Sequence, residues 1–317
     1  MIENLANTLI PIILLVLVGV ILSKFGILKD ESIRLLNKIV LYVSIPALTF
    51  LTAFNLNFGM FDQFWAFTVT SLIVGILGGA IVFGIAIIGK MDLKRKWGII
   101  IPVVFGSTTF TALPLVTSLY NQVNLVSAIK FYDFTSYIFL ILLNVILVLV
   151  LSSKNNLNGA TDGDDSCNFC GSIVGKIFLY PIFLAFILGI IANFIGLPKF
   201  SILVDTFGYL AALAIPVLSL VIGAALKFDK ISDWLLSAGV SIIKIVIVPI
   251  IALVCFVTFG ISSLELNIGL ISAAVPSGLA TMAISIDNNL DYAVTAKIIL
   301  ISIILSLITL PLLTMFI

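Results

Sequence analysis

Apolar residues come in long uninterrupted runs along this chain, and polar residues gather in short stretches between them. A helix that crosses a bilayer needs roughly 20 mostly apolar residues. By that measure ten spans can be laid along the sequence: residues 5–25, 33–54, 64–88, 97–120, 125–151, 173–195, 203–226, 234–257, 266–286 and 292–316. These are continuous runs and not period-two alternation, so a closed barrel is excluded and an all-α membrane protein of ten transmembrane helices is expected. A polar stretch, 152–171, carries Lys154, Asp162, Asp164 and Asp165 and reads as a linker between a first five-span half (1–151) and a second (172–317).

Composition points the same way. Hydrophobic residues make up 62 % of the chain and charged residues 10 %, with a mean hydropathy of +1.32. A soluble domain carries about a quarter charged residues. The net charge of +1 gives no reason to expect nucleic acid as a partner. The absence of histidine removes His-based acid–base catalysis, Ser-His-Asp chemistry and His zinc sites. Cys167 and Cys170 form half a zinc site in the linker, and Thr161–Asp165 lacks the spacing and closing Glu of a calcium loop, so no metal or cofactor is expected. Met1-Ile2-Glu3-Asn4 offers no positive flank, so the first run reads as a span and not as a cleaved leader.

Lys and Arg set the expected orientation. Lys24, Lys29, Arg34 and Lys38 surround the first loop, Lys90, Lys94, Arg95 and Lys96 the third, and Lys227 and Lys230 the seventh; the even-numbered loops hold only Lys199. The positive-inside rule then puts the odd loops and the linker in the cytoplasm and both termini outside the cell membrane.

A shift of 170 residues superimposes the halves. Pro11 falls on Pro181, Gly19 on Gly189, Gly26 on Gly196, and Ile45-Pro46-Ala47-Leu48 on Ile215-Pro216-Val217-Leu218. Five is odd, so the second half would enter the membrane from the opposite side, an inverted repeat typical of secondary transporters. In such proteins the substrate site lies near mid-membrane, where paired helices are interrupted. The same shift sets Gly106-Ser107-Thr108-Thr109-Phe110-Thr111 in span 4 on Pro276-Ser277-Gly278-Leu279-Ala280-Thr281 in span 9. Glycine and proline weaken both helices there. Half-helix N-termini favour an anion, and Ser and Thr hydroxyls can add donors. Gly106, Ser107, Thr108, Thr109, Pro276, Ser277, Gly278 and Thr281 are therefore candidate substrate-binding residues; the competing reading is simple kinks with hydroxyls bonded back to carbonyls. Pro46 and Pro216 read as scaffold kinks.

Charges inside spans are costly and mark function or a structural pair. Lys244 sits mid-span 8. Lys130 and Asp133 lie three apart on one face of span 5, where they can pair. Lys297 lies one turn into span 10. Each is a candidate for a charge or coupling role, against a structural pair or a snorkelling side chain.

Residues 37–48, 215–226, 273–280 and 307–312 resemble the span-2, span-7, span-9 and last-helix sequences of the auxin efflux carrier family, and the likeness runs over nearly the whole chain. That resemblance implies two inverted five-helix repeats, with spans 1, 2, 6 and 7 as a scaffold and spans 3–5 and 8–10 as a mobile transport domain. It further implies crossed, broken helices 4 and 9, elevator-type alternating access, a homodimer, and a small organic anion as substrate (auxin for plant members, malate or related dicarboxylates for some bacterial ones). Gly106-Ser107 stands where the family often carries Pro-Asn or Gly-Asn, so its substrate-contacting Asn has no counterpart at Ser107. Span 3 holds no acidic residue to take the proton site proposed for plant members. A sodium-coupled organic anion symporter of the bile-acid-transporter type is the alternative. An intramembrane aspartyl protease needs two facing carboxylates, and only Asp133 lies well inside a span.

Overall fold

The computed structural model describes residues 2–120, 123–157, 180–228, 230–261 and 263–316. Regular structure among them is helical: α1 (Ile2–Lys24), α2 (Asp30–Ile39), α3 (Ile45–Phe54), α4 (Phe61–Ile88), α5 (Leu93–Val104), α6 (Leu113–Leu119), α7 (Val123–Leu157), α8 (Pro181–Phe194), α9 (Ser201–Ala212), α10 (Ala214–Ala225), α11 (Ile231–Ile242), α12 (Val248–Thr258), α13 (Ser263–Ala273), α14 (Ala280–Asp287) and α15 (Tyr292–Phe316). Consecutive pieces join into seven helices long and apolar enough to cross a membrane. The expected spans 4, 6 and 9 are the ones that fall short. Spans 4 and 9 are interrupted, leaving Thr108–Leu119 and Ser263–Ala273 as shorter apolar helices, and the first part of span 6 precedes the described residues. The linker with Cys167, Cys170 and Thr161–Asp165 also lies outside the described residues.

Proline sets where the long helices change pitch. Among the described residues three π-turns occur, Val40–Ser44, Thr108–Ala112 and Ile243–Ile247, and each ends two residues before a proline: Pro46, Pro114 and Pro249. Proline cannot donate to the carbonyl four residues back and its ring collides with it. Widening the preceding turn relieves the collision without ending the helix. Pro216 follows a different break, at Leu213 between α9 and α10.

Helix packing repeats in the two halves. Gly19 of α1 lies against α10 so closely that a Cβ there would stand 2.2 Å from the Leu220 carbonyl oxygen. Its 170-shift counterpart, Gly189 of α8, lies against α3, with a Cβ 2.6 Å from the Phe50 carbonyl oxygen. Phe50 and Leu220 are themselves counterparts. Gly26 and Gly196 end α1 and α8 in matching left-handed conformations, φ 71° and 69°, which only glycine adopts without strain. Two apolar surface grooves also correspond. One, between α4, α5 and α7, is lined by Ile76, Gly79, Phe83 and Ile100; the other, beside α12, α13 and α15, by Val246, Pro249, Leu253 and Leu270. The surface is apolar where lipid would touch it, as at Leu14, Ile76, Leu188, Ile250 and Ile308.

Candidate functional site

α5 ends at Val104 and the chain turns extended at Phe105 (φ −108°, ψ 124°) before restarting in the Thr108–Ala112 turn. α13 ends at Ala273, and α14 begins seven residues later at Ala280. The two interruptions cross and bond to each other. The Ser107 amide donates to the Pro276 carbonyl at 2.9 Å, and the Gly278 amide donates to the Phe105 carbonyl at 2.9 Å. Unwound backbone inside a membrane protein must find such partners or water. Both glycines allow this approach. A Cβ at Gly278 would lie 2.2 Å from Phe105 Cδ1, and one at Gly106 would lie 2.7 Å from Val275 Cγ2. The Ser277 amide is held by Ser302 Oγ of α15 at 3.1 Å.

A small cavity opens beside the crossing, lined among others by Ser107, Thr108, Asp133, Tyr137, Leu279 and Ala280. Its polar equipment is unequal. Thr109 donates its hydroxyl to Asp133, which is buried on α7. Thr108 is 1 % exposed, and its hydroxyl makes no hydrogen bond of ordinary geometry although it lies on the Asp133 side of the turn. Thr111 and Ser277 also bury hydroxyls without partners. Thr281, by contrast, turns its hydroxyl back to the Gly278 carbonyl at 2.6 Å, the local bond that competes with a ligand role. Asp133 is engaged by Thr109, and no ion pair joins it to Lys130 among the described residues, so the expected pairing within span 5 gives way to a contact with span 4.

Lys244 lies in the Ile243–Ile247 turn and is 3 % exposed. Its Nζ would stand 3.3 Å from a Cβ on Gly106, so the ammonium reaches the crossing at Gly106, two residues past the end of α5. No hydrogen bond or ion pair reaches it among the described residues. Lys297 lies elsewhere. It pairs with Asp233 at 3.6 Å, stacks over the Trp234 ring, and joins a network in which Arg95 binds Asp233 and approaches Asp291 at 3.9 Å. That network ties α5, α11 and α15 together at one end. Lys130 is half-buried on α7 and does not line the cavity.

Tyr137 is a lining residue that the sequence reading left out. It follows Asp133 by four residues, one turn along the same face, and that spacing was the available signal. Among the described residues no cluster of His, Cys, Asp or Glu could hold a metal ion. Cys255 is buried in α12 and unpaired with another cysteine.

A family model described as "Membrane transport protein" matches residues 5–314. An uncharacterized transporter of Methanothermobacter thermautotrophicus is 27 % identical over 310 residues, with 96 % of each chain covered. An uncharacterized transporter of Methanocaldococcus jannaschii is 26 % identical over 316 residues, again with 96 % of each covered. Among solved structures, the sodium proton antiporter MjNhaP1 of Methanocaldococcus jannaschii aligns with a TM-score of 0.61 at 14 % identity, covering 96 % of this chain and 91 % of that one. At that identity the likeness speaks for the fold alone.

Proposed function

The chain belongs to the membrane transport protein family, that of the auxin efflux carriers, and from this premise we propose that it is a secondary transporter of a small organic anion. Ten spans in two inverted five-helix repeats carry it, with spans 1, 2, 6 and 7 as scaffold and spans 3–5 and 8–10 moving as an elevator. The matched glycine contacts, Gly19 on Leu220 and Gly189 on Phe50, support the repeat at the level of single side chains. So do the matched grooves.

One observation carries the anion. The N-terminus of α14 faces the cavity through Leu279 and Ala280. The leading amides of a helix have no intrahelical acceptor and carry partial positive charge. Lys244 adds a full positive charge behind the crossing. Substrate-binding roles therefore go to Ser107, Thr108, Leu279 and Ala280, with Gly106, Pro276 and Gly278 shaping the backbone.

The test is a thermal-shift panel of carboxylates on purified protein, with sodium and pH varied. A ligand at about 100 times its Kd adds roughly 2.7 kcal/mol of stability. At least one carboxylate is expected to raise the wild-type midpoint, and Thr108→Ala and Pro276→Ala are expected to lose that shift while remaining folded. Equal shifts in wild type and both variants would remove the crossing as the site. Lys244→Met is expected to weaken anion affinity about tenfold, or about 1.4 kcal/mol; unchanged affinity in a folded variant would make Lys244 structural.

A sodium-coupled symporter is the second reading. It is favoured by the buried Asp133 carboxylate beside two threonines and by the fold shared with a sodium proton antiporter. It predicts that sodium alone raises the melting midpoint and that Asp133→Asn abolishes this.

A further inference from the structure

We infer that Asn37 of α2 is a gate residue: together with Arg34 it latches α2 to α14 and closes the basic face of the protein, and its release lets the opposite face close through the matching helices α9 and α6. The inference rests on the moving transport domain proposed above and names the side chains that hold one of its positions.

α2 opens span 2, in the scaffold, and α14 closes span 9, in the transport domain; the two helices pack together. Asn37 is 2 % exposed and donates its side-chain amide to the Ala283 carbonyl at 3.1 Å. One turn earlier on α2, Arg34 donates to the Asn289 side-chain oxygen at 3.1 Å, just past the end of α14. These two bonds cross between parts that must separate if the transport domain moves. The Asn37 side-chain oxygen is buried and has no partner. An unpaired buried acceptor costs free energy that separation of the helices restores. The amide holds the closed position, and the orphaned oxygen keeps that hold shallow.

The 170-residue shift maps α2 on α9 and α14 on α6, and there the contact is not repeated. Asn37 falls on Phe207, Ala283 on Leu113, Arg34 on Val204 and Asn289 on Leu119, so every polar member of the latch is replaced by an apolar residue. α9 packs against α3 and α10, with the Phe207 ring stacked on Phe50 at 4.8 Å between centroids, while α6 packs against α1 and α7. No comparable packing joins α9 to α6 among the described residues. Burial follows the same division. Ala283 and Ile284 are buried, whereas Leu113 is half-buried and Pro114 exposed.

One helix pair is therefore engaged and its counterpart is not. Two halves of one fold that hold different arrangements can exchange them, and the exchanged molecule is closed on the other face. In that state Phe207 meets Leu113, a contact without a hydrogen bond. The two closures are chemically unequal, and deleting the Asn37 amide weakens only the first.

The experiment follows disulfide formation between Phe207→Cys and Leu113→Cys in the full-length chain, with its three native cysteines replaced by alanine. The protein is held in lipid vesicles, oxidised with copper phenanthroline, and given no carboxylate. Asn37→Ala is expected to raise the cross-linking rate about tenfold, the effect of one buried hydrogen bond on a two-state balance. Ser71→Ala is the control: it removes a buried bond to the Tyr132 carbonyl within the transport domain and is expected to leave the rate unchanged. Equal rates in Asn37→Ala and its parent, or the same acceleration in Ser71→Ala, overturn the gate while leaving the movement. Absence of the cross-link in every variant removes the movement itself, and the gate with it. Should Asn37→Ala fail to fold, Arg34→Ala, on the surface, takes its place with an expected increase of about threefold. A carboxylate-induced thermal shift is a separate outcome: its loss, beside a tenfold acceleration here, removes the anion and keeps the gate.

Discussion

Gly278→Ala should abolish transport while leaving a chain that still inserts into the membrane. The added methyl would sit 2.2 Å from Phe105 Cδ1 and 3.2 Å from the Gly106 carbonyl oxygen, well inside contact distance. Phe105 cannot swing away freely, because its ring packs edge-on against Tyr137 at 5.1 Å between centroids. The crossing segments must therefore separate, and the two bonds that join them, Ser107 N–H to Pro276 and Gly278 N–H to Phe105, lengthen together. Displacing a reacting or binding geometry by about 1 Å costs on the order of 100-fold in rate, and a loss of that size in substrate uptake is expected. Combining Gly278→Ala with Phe105→Leu, which shortens the obstructing side chain, should recover part of the activity. Wild-type uptake by Gly278→Ala in reconstituted vesicles would mean that the crossing need not hold this geometry.

The other large effect is on folding. Gly223→Leu should prevent the α1–α10 pair from forming. A Cβ at Gly223 would lie 2.0 Å from the Val16 carbonyl oxygen and 2.9 Å from the Val20 amide nitrogen, and both are backbone atoms of a continuous helix that cannot rotate aside. Overpacking of a tight contact costs roughly 1–3 kcal/mol and at times more, and in a bilayer helix association depends on such close approach of backbones. The expected loss is about 3 kcal/mol or greater, visible as a lowered melting midpoint and a reduced monodisperse fraction after extraction. Gly84→Ala supplies the control: nothing lies within 4 Å of that Cβ position. Alanine there should be neutral or stabilising by up to about 1 kcal/mol through helix propensity. Equal melting midpoints for the two variants would show that the α1–α10 contact is loose.

Much of the architecture was legible in the chain. Glycine and proline act through local backbone chemistry, so their positions announced where helices would weaken. The interruptions at Gly106 and at Pro276–Gly278 coincide with segments that the 170-residue shift had already paired. The π-turns were less visible. Pro46, Pro114 and Pro249 predict a disturbance, yet whether a helix answers by kinking, widening or breaking depends on what packs against it. Span 4 widens before Pro114 and opens fully at Phe105, and Pro114 by itself does not distinguish these responses.

The charged candidates divide differently. Lys130 and Asp133, three residues apart, share a helix face, and sequence spacing makes them partners. The fold instead turns Asp133 to Thr109 on another helix. Lys297 and Lys244 are both single lysines inside apolar runs, alike in one dimension. One meets Asp233 and Trp234 at the end of a helix pair; the other ends behind Gly106 with no counter-charge among the described residues.

The sequence by itself determined the solvent of this protein, its helical character and the points in spans 4 and 9 where the backbone must yield. Each of these follows from hydropathy summed along the chain or from the covalent properties of glycine and proline. Only the tertiary structure decided which polar groups meet. Asp133 with Thr109, Lys297 with Asp233, and Thr281 satisfied by its own chain while the Ser277 hydroxyl is left without a partner all depend on how the helices are rotated and at what angle they cross. Those angles are set by contacts such as Gly19 on Leu220 and Gly223 on Val16, between residues some 200 positions apart in the chain, whose meeting no local pattern encodes.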